Sequence, residues 1–127
     1  MKKLIFALLM VLSYSAWAEW VLVSEATNSE AKNYIDPATI RREGTLLRYW
    51  KLVNLKVRDK FDGDMSWRTR DEIDCKKERW RFTSMTTFSE SMLGGRVTST
   101  SNAPNGEWSD IAPGTVMFYV MRYVCAK

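Results

Sequence analysis

The chain of 127 residues contains no histidine and only two cysteines. Without histidine the commonest general base is missing, and so is a usual member of zinc-binding sets. The cysteines, Cys75 and Cys125, stand far apart, so the C-x-x-C spacing of a redox pair is absent as well. Serines and carboxylates are plentiful, yet none sits in a G-x-S-x-G or S-x-x-K setting. These absences argue against an enzyme and give no reason to expect a metal or a cofactor. No apolar run reaches the roughly 20 residues needed to cross a hydrocarbon core. Internal repeats and low-complexity tracts are lacking too.

What is present starts with a leader. Lys2 and Lys3 form a positive head, Leu4 to Leu12 an apolar run, and Ala16-Trp17-Ala18 the small-x-small pattern read by signal peptidase. The expectation is a signal peptide over residues 1–18, cleaved after Ala18, and one exported domain over residues 19–127 with no transmembrane segment. Losing Lys2 and Lys3 lowers the net charge from +4 to +2. So small an excess gives little for nucleic acid to hold, and export removes the opportunity.

In an exported chain two cysteines are read as a disulfide. Bridging Cys75 to Cys125 would close a loop of about 50 residues, worth about 4 kcal/mol by loss of chain entropy in the unfolded state. A redox pair and a metal site are the competing readings, weakened by the absences above.

Along the expected domain, "EWVLVSEA" reads as a first strand and "TNSEAKN" as a polar turn. A brief strand at Tyr34-Ile35 ends at Asp36-Pro37, where a single helical turn can follow. "TLLRYWKLVNLKV" is the clearest strand: Leu47, Tyr49, Val53, Leu55 and Val57 share one parity, broken only by Lys51. Asp62-Gly63-Asp64 marks a turn, and Arg96–Thr100 a short strand.

In "DEIDCKKERWRF" the apolar parity switches near Lys77. A long bent or bulged strand is the favoured reading, with "CKKE" as a hairpin turn the alternative. Cys75 shares its parity with Ile73 and should face inward. Asp71, Glu72 and Asp74 alternate with basic residues and read as a solvated strand face. The tail "TVMFYVMRYVCAK" suits a strand by propensity. It suits a helix by its entry, with Thr115 as N-cap and Phe118, Met121 and Cys125 on one face.

Cations and rings interleave at Trp67-Arg68, Arg70, Lys76-Lys77 and Arg79-Trp80-Arg81. Lys77, Arg79 and Arg81 would line one face of an extended strand and are the candidate partner-binding surface. Pairing across strands with Glu72, Asp74 and Glu78 would instead leave an unremarkable mixed surface. Trp20, Trp50, Trp80 and Trp108 read as core or sheet-packing groups. The edges of so small a sheet also offer pairing with a second copy, a homodimer.

In order, "EWVLV", "YIDPATIRREG", "LLRYWKLVN", "EIDCKKERWRF", "EWSDIAPGT" and the closing "YVC" resemble the surface-adhesin protein E family of small exported Gram-negative proteins. The resemblance implies an α+β fold: an antiparallel sheet of about six strands and one C-terminal helix, tethered by a Cys75–Cys125 disulfide. It decides the tail for helix. The implied function is adhesion to host matrix and serum proteins. Ala18-Glu19 stands where a lipid-anchored member has its acylated cysteine, so no lipid anchor is expected. The resulting expectation is an exported, non-enzymatic module that binds another protein through its sheet face or loops. The alternative is a periplasmic structural or accessory envelope protein with no adhesive role.

Overall fold

The alternation in "LLRYWKLVNL" makes one strand with two unlike faces, and the other elements are arranged around it. A computed structural model describes residues 19–25 and 31–127; the signal peptide expected over residues 1–18 lies outside the described residues. In chain order the strands are β1 (Val21–Glu25), β2 (Ala31–Ile35), β3 (Arg41–Glu43), β4 (Leu46–Leu55), β5 (Ser66–Asp74), β6 (Arg79–Phe88), β7 (Val97–Asn102) and β8 (Ser109–Asp110). The chain closes with the helix α1 (Val116–Cys125). One antiparallel sheet runs β1-β2-β4-β5-β6-β7, with β3 pairing beside β4 and β8 beside β6. The main path carries the expected six strands, and β3 and β8 are short additions to it. Ala31–Asn33, read as part of a turn, belong to β2.

Odd-numbered residues of β4 face the helix. Leu47 and Tyr49, with Ile35 of β2 and Ile73 of β5, pack against Met117, Val120, Met121 and Val124 of α1. The helix begins where Pro113-Gly114 ends the loop and the Thr115 hydroxyl accepts the amide of Phe118 at 3.3 Å. Its buried stripe is 117/120/121/124, a face rotated slightly from the one expected; Phe118 and Cys125 sit at its border.

Lys51, which breaks the apolar parity of β4, is buried on this same face. Its Nζ lies 3.1 Å from Asp71 Oδ2, 3.3 Å from the sulfur of Met117 and 5.0 Å from the centre of the Trp80 ring. The Tyr49 hydroxyl donates to the same carboxylate oxygen at 3.3 Å. A charge removed from water is tolerable only when paired and hydrogen-bonded. Lys51 and Asp71 supply that for each other between sheet and helix. Asp71, read as solvated, is fully buried.

The segment after Ile73 turns rather than bends. Cys75–Glu78 form a four-residue hairpin loop, and Asp74 pairs with Arg79 across it. Asp74 Oδ1 accepts the amides of Lys76 and Lys77 at 3.1 and 3.0 Å, which fixes the chain reversal. Glu78 takes the left-handed conformation at φ 51° that glycine usually supplies. The parity switch is thus the hairpin itself, and it puts Ile73 and Trp80 side by side on the helix face. The long bent strand is replaced by two strands, and a separate bulge lies between Arg70 and Asp71 in their pairing with β6.

Cys75 opens this turn and bonds to Cys125 at the end of α1, with Cα atoms 6.0 Å apart. The expected tether is in place. Replacing both cysteines by serine should lower stability by about 2–5 kcal/mol, read from urea unfolding followed by tryptophan fluorescence. An unchanged midpoint, with and without reductant, would show that packing alone holds the helix.

Burial, then the charge of Asp71 and its hydrogen bond, raise the Tyr49 hydroxyl well above the ordinary phenol value of 10.0. Above about pH 10 the unfolded chain releases this proton while the folded one retains it, so stability falls as pH rises, by about 1.4 kcal/mol per pH unit from this one group. Tyr49→Phe should remove that component of the alkaline slope. Unfolding curves between pH 9 and about 11.5, compared with wild type, test it.

Candidate functional site

The even-numbered residues of β4 face away from the helix, and register brings them into rungs with β5 and β6. Arg48, Glu72 and Arg81 form one rung, Trp50, Arg70 and Ser84 the next, and Leu52, Arg68 and Thr86 a third. Glu72 accepts from Arg48 Nε at 2.9 Å and from Arg81 at 2.9–3.0 Å. Its side chain is only 3% exposed, because two guanidinium groups cover it. Asp74 takes Arg79 at 3.8 Å. The acidic residues read as solvated are therefore all buried, each by a cation that only the strand register brings to it.

The aromatic rings of this face lie under the same cations. Arg79 and Arg81 stack on Trp108 at 4.6 and 4.4 Å. Arg68 lies 5.1 Å from the Trp50 ring and 5.8 Å from Phe88, and Arg70 is 5.9 Å from Trp50. Of the three residues singled out from sequence, Arg79 and Arg81 share this face. Lys77 does not join them; it lies exposed at the hairpin tip. Trp80 packs on the helix side, whereas Trp50 and Trp108 are half-buried beneath arginines.

Two loops bound the face. At one end Met92 N donates to Asn54 Oδ1 at 2.7 Å and Leu93 N to Ser66 Oγ at 2.9 Å, folding residues 90–95 over the last rung. At the other, Arg81 donates to the carbonyl of Gly106, and β8 pairs with the start of β6. Between them lie two shallow depressions. One, of about 290 Å³, is lined by Trp20, Asp36, Thr39, Trp50 and Arg68. The other, of about 190 Å³, is lined by Arg48, Arg70, Glu72, Thr83 and Pro104. Both are smaller than the roughly 300–1,000 Å³ clefts that enclose small molecules.

Among the described residues no three histidine, cysteine or acidic side chains are grouped to hold a metal ion. Away from this face, the β4–β5 loop carries a hydrogen-bonded carboxylate pair. Amides of Phe61 and Asp62 lower the Asp59 carboxyl, while its hydrogen bond to Asp59 raises that of Asp62. Asp62 is exposed and Asp59 half-buried, and the pairing shapes the turn.

The structure defines an α+β module with one face closed by a stapled helix and the other an open field of arginine and tryptophan. The sequence profile of surface-adhesin protein E matches residues 20–126, and the chain belongs to that family. Haemophilus influenzae protein E, crystal form II, superposes with a TM-score of 0.60 at 14% identity, over 87% of this chain and 89% of that one. Its selenomethionine form gives 0.62 at 15% identity, over 87% and 88%. Protein E from non-typeable Haemophilus influenzae gives 0.56 at 14%, over 89% and 79%. At such identities the likeness establishes the fold. No curated protein matches the chain. No helix among the described residues is long and apolar enough to cross a membrane.

Glu72→Gln removes the charge that holds two arginines in place. Hydrogen bonds to charged groups contribute about 1.5–3 kcal/mol, so the variant should lose stability on that scale. Its urea midpoint, compared with that of the exposed-site control Glu107→Gln, measures the loss.

Proposed function

We propose that the protein is an exported, non-enzymatic interaction module that binds another protein through the helix-free face of its sheet. The observation that carries this is the unequal treatment of the two faces. Helix and disulfide seal one, while the other keeps Trp50 and Trp108 under arginines with no element laid across its middle. Aromatic and arginine side chains are the residues that most often anchor protein partners. Family membership supports an adhesin-like role. Arg79 and Arg81 would form the Trp108 end of the surface, and Lys77 an outlying charge. The all-exposed strand β7 offers an edge for a second copy.

Export with cleavage after Ala18 is part of the proposal. Fractionation of the producing cell, with mass spectrometry of the recovered protein, should find it outside the cytoplasm beginning at Glu19. Surface labelling of intact cells and binding to immobilised matrix proteins would support the adhesin-like reading. Confinement to the periplasm, with no matrix binding, would favour the accessory envelope role instead.

A further inference from the structure

The cations of the open face are not alike. Arg48 and Arg81 share Glu72, and Arg79 has the charge of Asp74 at 3.8 Å, although its buried Nε makes no hydrogen bond. Arg68 and Arg70 have no carboxylate partner and no side-chain hydrogen bond among the described residues. They are alternate residues of β5, so their side chains leave the same face about 6.6 Å apart along the strand. Their cross-strand neighbours, Leu52 and Trp50 on one side, Thr86 and Ser84 on the other, are all neutral. Trp50 and Phe88 hold Arg68 by stacking, and its Nε is shut away from water without an acceptor.

The Nε of Arg68 is closed off beneath the rings, so its terminal N–H groups are the donors left to meet a carboxylate. A flat, stacked guanidinium is also pre-organised: it has little side-chain entropy left to lose when a carboxylate docks. We infer that Arg68 and Arg70, 5.1 and 5.9 Å from the Trp50 ring, form a cradle for an acidic polypeptide segment bound in extended form, with carboxylates at alternate positions facing the two guanidinium groups. In an extended strand, alternate side chains share a face at the same spacing as Arg68 and Arg70. Complementary charge at matched spacing selects such a segment. A dense polyanion such as a sulfated polysaccharide fits less well. It requires a long run of free cations, whereas among the described residues this face offers Arg68 and Arg70, and Asp36 and Glu72 line the depressions beside them. The inference rests on the proposed protein-binding role of this face and names the chemistry of its partner.

The test uses the disulfide-bonded domain and three probes: a peptide with the core Ser-Glu-Val-Glu-Ser, its Ser-Gln-Val-Gln-Ser counterpart, and a heparin-type octasaccharide. Binding is followed by NMR at the Trp50 indole N–H. The glutamate peptide should shift that signal saturably, the glutamine peptide should not, and added salt should weaken the effect. Arg68→Gln with Arg70→Gln should lower the affinity by about tenfold or more, while Lys60→Gln, at an exposed position in the β4–β5 loop, changes nothing. Unchanged urea midpoints would show that the variants are folded. Equal binding of both peptides, or insensitivity to the double substitution, overturns the cradle. So does an octasaccharide that binds more tightly than the peptide through the same arginines. The wild type and the double variant are then compared on immobilised matrix proteins. If both bind equally, the module stands and the cradle falls. If neither binds while the peptide result holds, the cradle stands and the matrix-binding reading falls.

Discussion

The bond between Cys75 and Cys125 sits where the fold has least else to offer. A ten-residue helix presents four buried side chains to a single sheet. Helices of that length are marginal alone and depend on tertiary packing. The tether fixes the helix's last residue to the β5–β6 turn, and the buried Lys51–Asp71 pair fixes its first turns through Met117. Between those two points the apolar stripe has little freedom to slide. The register of Val120 and Val124 over Ile35, Leu47 and Ile73 follows from that.

With one face closed in this way, the other is free of structural duty at its centre. The sheet still has to neutralise its own acids there, and it does so with Arg48, Arg79 and Arg81. The arrangement explains why the arginines chosen from sequence are the committed ones. The hairpin folds Arg79 and Arg81 back onto Asp74 and Glu72. Arg68 and Arg70 differ only through the neutral residues that register places opposite, and no local pattern records that.

Much of the fold was legible for physical reasons. Strand β4 announced itself by its period of two, the turn at Asp36-Pro37 by a fixed φ, and α1 by Thr115 ahead of an apolar segment. The six-segment resemblance settled helix against strand. The β5–β6 hairpin was misread because its left-handed residue is Glu78 rather than glycine, and because Asp74, which caps the turn, looks like one more surface charge. The same error hid the site. Until Asp74 is opposite Arg79 and Glu72 opposite Arg81, nothing shows which charges are spent. Lys51 was visible as an irregularity, but its partner Asp71 lies 20 residues on and is reached only through the pairing of β4 with β5.

The bridge also short-circuits the chain under tension. A pull applied between the N-terminal strand and Lys127 passes from Cys75 directly to Cys125. Residues 76 to 124, among them β6, β7, β8 and nearly all of α1, hang from that path as a closed side loop. Traction can peel the earlier strands one from another, but it cannot extend the later half of the domain until a covalent bond is cut. The rungs supplied by β6 and the Trp108 end of the open face would thus be the last parts to feel a stretching force.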